Sequence, residues 1–350
     1  MMNSDFEPDD YSDFAEPRVL TIPAECAGQR LDAALACLLV DYSRSRLTTW
    51  IKDGLVLVDG KPGSPKDKLW GGETVSVDIQ PNPDEVAFQP EAMDLDVLHE
   101  DETIIIINKP PGLVVHPGSG NWSGTLLNGL LHAYPELKSV PRAGIVHRLD
   151  KDTSGLMVVA RTLAAQNLLV QQLQARSVKR HYFAIVQGEV RRDGKVDAPI
   201  GRHPKDRIKM AVVGTGKPAV THYRVLEHLS GHTLVECRLE TGRTHQIRVH
   251  MAHIGHPLAA DPVYGGRPKL QEPEVNMALE DFARQALHAK KLSLVHPASG
   301  KTMTWKSPLP QDFDILLNVL RSAAGLDDDW DEDDWDDEDD GDTEVIYVRE

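Results

Sequence analysis

The sequence predicts an α+β protein: a larger domain with a mainly antiparallel, mixed sheet flanked by helices and loops, and a small N-terminal α/β module ahead of it. Three observations lead there. At 350 residues the chain is long enough for two domains and a sizeable core. Beyond residue 93 strand-like runs outnumber helical ones, and the two do not alternate as a doubly wound parallel sheet requires. A stretch with three prolines, Q-P-N-P-D-E-V-A-F-Q-P-E at 80–91, separates the two parts. The expected boundaries are 17–80 for the module, 81–92 for a linker and 93–325 for the larger domain.

Charge is unevenly distributed. The formal net charge of −16 by itself argues against a nucleic-acid partner. Yet residues 1–16 hold six Asp/Glu and no Lys/Arg, and residues 327–344 hold fourteen and none. With these set aside, residues 17–325 carry a net charge of +4. A mildly basic body between two acidic ends is compatible with RNA. The ends themselves, 1–16 and 326–350, cannot bury a core and are expected to be disordered. The three cysteines (Cys26, Cys37, Cys237) form no CxxC pair, which points to a reducing compartment without structural zinc. No apolar run reaches membrane-spanning length and the N-terminus is acidic, so a cytoplasmic protein is expected.

The module begins with a short strand at 18–22. A helix follows, with Leu31, Leu35, Leu38 and Leu39 on one face. Ser43 caps a second helix, Arg44 to Asp53, which Gly54 ends. L-V-L-V-D-G-K is a strand entering an Asp59-Gly60 hairpin turn, and 73–79 is a closing strand. Arg44, Arg46 and Lys52 fall near one exposed side of the second helix, where they would meet phosphates without reading sequence; a plain solvated helix face is the alternative.

In the larger domain, Thr103 to Ile107 is a fully apolar strand that runs into a turn-rich loop, N-K-P-P-G-L-V-V-H-P-G-S-G. Lys109 and His116 would either touch RNA there or satisfy loop carbonyls. Thr125 to Tyr134 is a helix. Next comes A-G-I-V-H-R-L-D-K-D-T-S-G-L-M-V-V-A-R at 143–161, a charged loop between two apolar runs. His147, Arg148, Asp150, Lys151 and Asp152 cannot all be buried there, because unpaired charge costs several kcal/mol to bury. Loops held by rigid strands are where reactive groups are presented. A helix at 163–176 follows, then strands at 179–188, 221–227 and 233–240, a turn and helix within 241–258, strands near 286–295 and 303–305, and a helix at 313–323.

H-R-L-D-K-D-T-S-G-L at 147–156 resembles the signature of the RluA-type pseudouridine synthases. Y-S-R-S-R-L-T-T-W-I-K-D-G-L-V-L-V-D-G-K at 42–61 resembles the S-four-type RNA-binding module. The likeness spans about residues 18–320, and within the family it is greatest to the D-type branch. That branch modifies uridines in the helix-sixty-nine hairpin loop of large-subunit ribosomal RNA. The resemblance implies a pseudouridine synthase acting on large-subunit ribosomal RNA or a pre-ribosomal particle; a monomer is the default expectation, since the sequence does not fix oligomeric state. It implies no cofactor and no metal.

The resemblance also assigns residues. Asp150 is the catalytic carboxylate. Arg248, in H-Q-I-R-V-H, pairs with it, although Arg243 stays open for that part. Tyr182, in R-H-Y-F-A, stacks on the target base, and Arg148 fills the gap left by the flipped nucleotide. The bland readings are Tyr182 as core and Arg248 as a surface ion-pair partner. The chemistry breaks the N1–C1′ bond of uridine, turns the base and rejoins it through C5. An ionised Asp would attack ribose or base, or draw a sugar proton to give a glycal.

His245, His250, His253 and His256 invite a metal reading, but 250, 253 and 256 drift around a helix and no carboxylate nearby completes a site. Within the family, the same reaction at a different ribosomal RNA site is the alternative, and two other function classes remain. A non-catalytic ribosome-assembly factor is disfavoured by the joint presence of Asp150, Tyr182 and Arg248. An RNA glycosidase is disfavoured by the single candidate carboxylate.

Overall fold

The computed structural model describes residues 17–79, 87–118, 121–206, 208–266 and 272–326, together with the backbone of 344–346. The disorder expected at 1–16 and 327–343 lies outside the described residues. The chain divides into two units, Met1–Asn82 and Pro83–Glu350.

The first unit contains β1 (Arg18–Thr21), α1 (Leu31–Leu38), α2 (Arg44–Lys52), β2 (Val56–Val58), β3 (Lys61–Pro62) and β4 (Thr74–Val77). The strands form one antiparallel sheet in the order β1-β4-β2-β3. Ser43 Oγ accepts the Arg46 N–H at 3.3 Å and so caps α2. Asp59 (φ +47°) and Gly60 (φ +76°) are both left-handed, the requirement of a tight hairpin turn matched to strand twist. Leu31, Leu35, Leu47, Trp50 and Ile51 pack over Val56, Val75 and Val77.

The second unit starts with β5 (Val97–Glu100), β6 (Ile104–Lys109), α3 (Leu126–Ala133), β7 (Ser154–Ala160) and α4 (Leu163–Gln174). Next are β8 (Lys179–Gln187), β9 (Gly194–Asp197), β10 (Ile200–Arg202), β11 (Met210–Val212), β12 (Val220–Leu229) and β13 (His232–Leu239). The unit closes with α5 (Gln246–His253), α6 (Pro273–Phe282), β14 (Leu287–Val295), β15 (Thr302–Lys306), α7 (Gln311–Ala324) and β16 (Glu344–Ile346).

Its large sheet runs β5-β6-β7-β14-β8-β13-β12-β9, with β15 on β14. Pairing is antiparallel except for β7 with β14 and β15 with β16. Both faces are covered. Ile105, Ile107, Met157, Val159, Tyr182 and Ala184 join the core under α3 and α5. Ile104, Ile106, Leu156 and Val158 face α4 and Trp305, while Phe183 and Ile185 meet α6 and α7. That two-sided burial explains why β6 reads as an unbroken apolar run.

Six features depart from the sequence reading. β5, β9, the β10–β11 pair and α6 were not expected; most are short and mixed in polarity, so neither period stands out. Residues 87–92 of the expected linker pack on α3: Asn128 donates to the carbonyls of Ala87 and Gln89 at 3.2 and 2.8 Å and accepts the Glu91 N–H on its own carbonyl at 3.0 Å. Pro90 lacks a backbone donor, but the segment still presents carbonyls to a buried amide. Within the acidic tail, Glu344–Ile346 adds a parallel strand to β15, whose outer edge would otherwise leave backbone groups unpaired.

Candidate active site

Asp150 sits in the loop that feeds β7, and every side of that loop is tied down. Lys109, wholly buried at the end of β6, donates its three ammonium hydrogens to the carbonyls of Pro110 (2.7 Å), Leu113 (3.0 Å) and Lys151 (2.9 Å). Burial, helped by the Arg284 charge, pulls its pKa down to about 7, against the pull of Asp152 and Asp150. Lys109 therefore fastens two loops and is not an RNA contact. Arg284 holds the Asp152 carbonyl at 3.0 Å while its own fork grips Asp312 at 2.6 and 2.8 Å. Gln285 donates to Thr153 Oγ1 at 3.2 Å, and the Val158 N–H donates to His147 Nε2 at 3.1 Å. Gly155 (φ +109°) lets the strand close on β14, since a Cβ there would lie 2.3 Å from the Ala289 carbonyl oxygen.

Arg248 projects from the buried face of α5. Its Nη1 donates to Asp150 Oδ2 at 3.0 Å, while Nε and Nη2 donate to Asp261 at 2.7 and 2.9 Å. Asp261 Oδ1 also accepts the N–H groups of Val263 (2.8 Å) and Tyr264 (3.0 Å). Burial disfavours the Arg248 cation, but the hydrogen bonds and charges of Asp261 and Asp150 more than reverse this, so the guanidinium is held firmly protonated. Burial likewise opposes the Asp261 carboxylate, and Arg248 keeps its pKa below the usual range. Arg243, the other candidate partner, donates instead to the Pro218 carbonyl at 3.1 Å.

His245 precedes α5 with a left-handed backbone (φ +56°) and stands with Nε2 4.0 Å from Asp150 Oδ1. Its Nδ1 lies 2.8 Å from the Tyr264 hydroxyl, whose oxygen also accepts the Met210 N–H. With Tyr264 as donor, the ring hydrogen of neutral His245 falls on the Asp150 side. Burial lowers the His245 pKa, opposed by the Asp150 charge.

Tyr182 is 5% exposed on β8, facing the same cavity, and burial raises its phenol pKa. The cavity measures about 1230 Å³ and is lined by Asp150, Tyr182, Arg248, His147, Arg148 and Arg180, among others. Arg148 is exposed and has no hydrogen bond or ion pair among the described residues.

In the first unit, Arg44 forks onto buried Asp32 at 3.1 and 3.3 Å. Arg46 lies over the rings of Tyr42 and Trp50, 5.3 and 4.9 Å from their centroids. Lys52 is exposed. The three do not share one free face, because positions 44 and 46 point about 200° apart around a helix.

The histidines are individually occupied. His250 is buried between Thr221 Oγ1 and the Ala198 carbonyl, each at 2.9 Å, and His256 Nδ1 meets the Gln187 carbonyl at 2.9 Å. Among the described residues no group of three or more His, Cys, Asp or Glu is placed to hold a metal ion.

Sequence reasoning missed Asp261, His245 and Arg180 as members of the site. Asp261 lies in A-A-D-P-V-Y; the available signal was that a buried arginine with five donors needs more than one carboxylate.

A single ionisable carboxylate beside a fixed cation, facing a cavity with an aromatic side chain, suits nucleophilic attack or proton abstraction on one bound nucleotide. The family model for RNA pseudouridylate synthases matches residues 103–253, and that for the S4 domain matches residues 29–75. Ribosomal large subunit pseudouridine synthase D of Neisseria meningitidis serogroup B is 57% identical, with both chains covered in full.

The chain belongs to the RNA pseudouridylate synthase family.

It is therefore an isomerase by family. The enzyme of the same name from Escherichia coli K12 is 56% identical over 86% of this chain and 94% of its own. Among solved structures, human RNA pseudouridylate synthase domain containing 4 superposes with a TM-score of 0.51 at 29% identity, covering 64% of this chain and 92% of that one. The synthase model ends at the last residue of α5, so it takes in Asp150, Tyr182 and Arg248 but stops short of Asp261.

Proposed function

We propose that this protein isomerises uridine to pseudouridine in large-subunit ribosomal RNA, with Asp150 as the carboxylate that acts on the target nucleotide and a hairpin loop, that of helix sixty-nine, as the place of modification. The observation that carries the reading is the 3.0 Å contact between Asp150 and Arg248 inside a cavity that also presents Tyr182.

The reaction conserves composition. The N1–C1′ bond breaks, a C5–C1′ bond forms, the C5 hydrogen leaves as a proton, and N1 gains one. Asp150 attacks ribose or base, or removes a sugar proton. Arg248 keeps it aimed, through the Nη1 donor at 3.0 Å from Oδ2. Tyr182 offers the flat face on which a flipped uracil stacks. Arg148, exposed at the mouth, suits the gap that the flipped nucleotide leaves. Hairpin loops are where RNA bases can be splayed out. The S4 domain and the names of the full-length relatives support ribosomal RNA as the substrate. Lys52, Arg44 and Arg46 give that domain its basic helix; the proposed domains are 17–80 and 93–325, with 87–92 packed on the latter, and a monomer in the cytoplasm is the working unit.

Pseudouridine mapping of large-subunit ribosomal RNA after incubation with the protein tests this. New pseudouridine confined to one hairpin loop is the expected result. Release of free uracil would instead mean that water closes the reaction. Modification elsewhere in the RNA would keep the chemistry and replace the site.

A further inference from the structure

Among the described residues Arg180 has no hydrogen-bond or ion-pair partner. It lies on β8 two residues before Tyr182, hence on the same face of the strand, and it lines the same cavity. It is 8% exposed, yet it makes no hydrogen bond or ion pair among the described residues, and its Nε is buried without an acceptor. Of the three acidic side chains that line the cavity, Asp150 pairs with Arg248, Glu240 pairs with His222 and Arg176, and the Asp152 charge acts on Lys109; none pairs with Arg180. A guanidinium cannot shed its proton to escape burial, and an unpaired buried charge costs several kcal/mol. Gly242 packs against it: a Cβ there would stand 2.8 Å from Arg180 Nη1.

A second donor is unpartnered nearby. His147 uses Nε2 to accept the Val158 N–H, so its hydrogen is on Nδ1, which is buried without an acceptor and belongs to the wall of the same cavity. The Arg180 charge acts on this ring and, with burial as the larger cause, holds it neutral at about pKa 3.

We infer that Arg180, with His147 Nδ1–H, forms a seat for a backbone phosphodiester of the RNA strand at the flipped nucleotide. The inference rests on the pseudouridylation reading above. A phosphodiester is the permanent anion that an RNA strand brings into the cavity, and two of its oxygens match the guanidinium fork. Held there, the phosphate fixes the ribose relative to Asp150 while Tyr182, on the same strand face, fixes the base. Arg180 is thus a binding and positioning residue.

The test uses the full chain and a hairpin RNA containing the uridine that the wild-type protein modifies, with the phosphates flanking that uridine replaced one at a time by neutral methylphosphonate. Binding and single-turnover rates are measured for the wild type, Arg180→Met and Arg180→Gln. One methylphosphonate is expected to weaken wild-type binding tenfold or more and to cause little further loss in Arg180→Met. The slope of log affinity against log salt should shrink by about 0.7 in Arg180→Met. Methylphosphonate penalties equally large in wild type and Arg180→Met would overturn the seat. A fall in rate with affinity and salt slope unchanged would also overturn it and give Arg180 to charge developing on the departing base. Should Arg180→Met not fold, Arg180→Gln carries the same comparison, because it removes the charge and keeps a polar side chain; an undiminished penalty there overturns the inference. Absence of pseudouridine with the wild type would instead strike the functional reading, while the binding comparison still decides the seat.

Discussion

Arg248 and Asp261 meet through two parallel hydrogen bonds, Nε to Oδ2 at 2.7 Å and Nη2 to Oδ1 at 2.9 Å, which leaves Nη1 to reach Asp150. The arrangement separates support from action. Asp261, with its side chain wholly buried, holds the arginine; Asp150, partly exposed to the cavity, receives the third donor. Two of the five guanidinium hydrogens thus fix the plane in which the third points.

Asp261→Asn keeps the shape of the site and removes a charge from a buried pair. Breaking such a pair from one side costs about 3–5 kcal/mol, and misplacing a catalytic group by about 1 Å costs on the order of 100-fold in rate. The expected outcome is a single-turnover rate lowered by roughly 10- to 100-fold together with a lower denaturation midpoint. A variant with both quantities unchanged would remove Asp261 from the account.

Tyr182 serves the core and the cavity at once, so its substitutions must be paired. Tyr182→Phe keeps the flat ring and should retain activity within a few-fold. Tyr182→Leu keeps an apolar side chain without a π-face. Base–aromatic stacking is worth about 1–3 kcal/mol, so the leucine variant should lose roughly 5- to 150-fold in rate. Equal activity in the two variants, at comparable thermal stability, would make Tyr182 a core residue only.

His288 supplies a pH dependence. It is fully buried on β14, with Nδ1 3.0 Å from Ser154 Oγ beside the Asp150 loop. Burial first, then the charges of Lys290 and Arg284, lower its pKa from 6.5 to about 3. Below 6.5 the unfolded chain binds a proton that the folded chain refuses. Stability from this group is therefore complete above pH 6.5 and falls as pH drops toward 3, by about 1.4 kcal/mol per unit. Denaturation midpoints measured from pH 7 to pH 4 should decline, and His288→Gln should flatten the decline. An identical decline in the variant would assign the effect to other groups.

What the sequence made legible followed from local rules. The Ser43 cap, the Asp59-Gly60 turn and the unbroken apolar run of β6 each depend on a few adjacent residues, and each is present. Asp150 and Arg248 were legible from motifs, and the structure brings them together across 98 positions. Asp261 was not, because its meaning lies in a partner 13 positions away whose donors are filled only after folding. Lys109 carried two readings at the sequence level. The fold chooses between them by placing three carbonyls around one ammonium. Arg46 reads as a free phosphate contact until helical spacing is applied: Tyr42 and Trp50 lie four residues to either side, on its own face. Arg180 was hidden for a related reason. Its place beside Tyr182 follows from the strand period, but its lack of a carboxylate partner is a property of the whole cavity.

The central claim is that Asp150 performs the isomerisation. The most direct measurement is pseudouridine mapping of large-subunit ribosomal RNA after incubation with Asp150→Asn beside the wild type, with RNA binding measured on both. Asparagine keeps the size of the side chain and can still accept from Arg248, but it is neither a nucleophile nor a base of comparable strength. The account predicts pseudouridine in one hairpin loop with the wild type, none with Asp150→Asn, and RNA affinity retained by the variant. Pseudouridine formed by Asp150→Asn at the wild-type rate would contradict it.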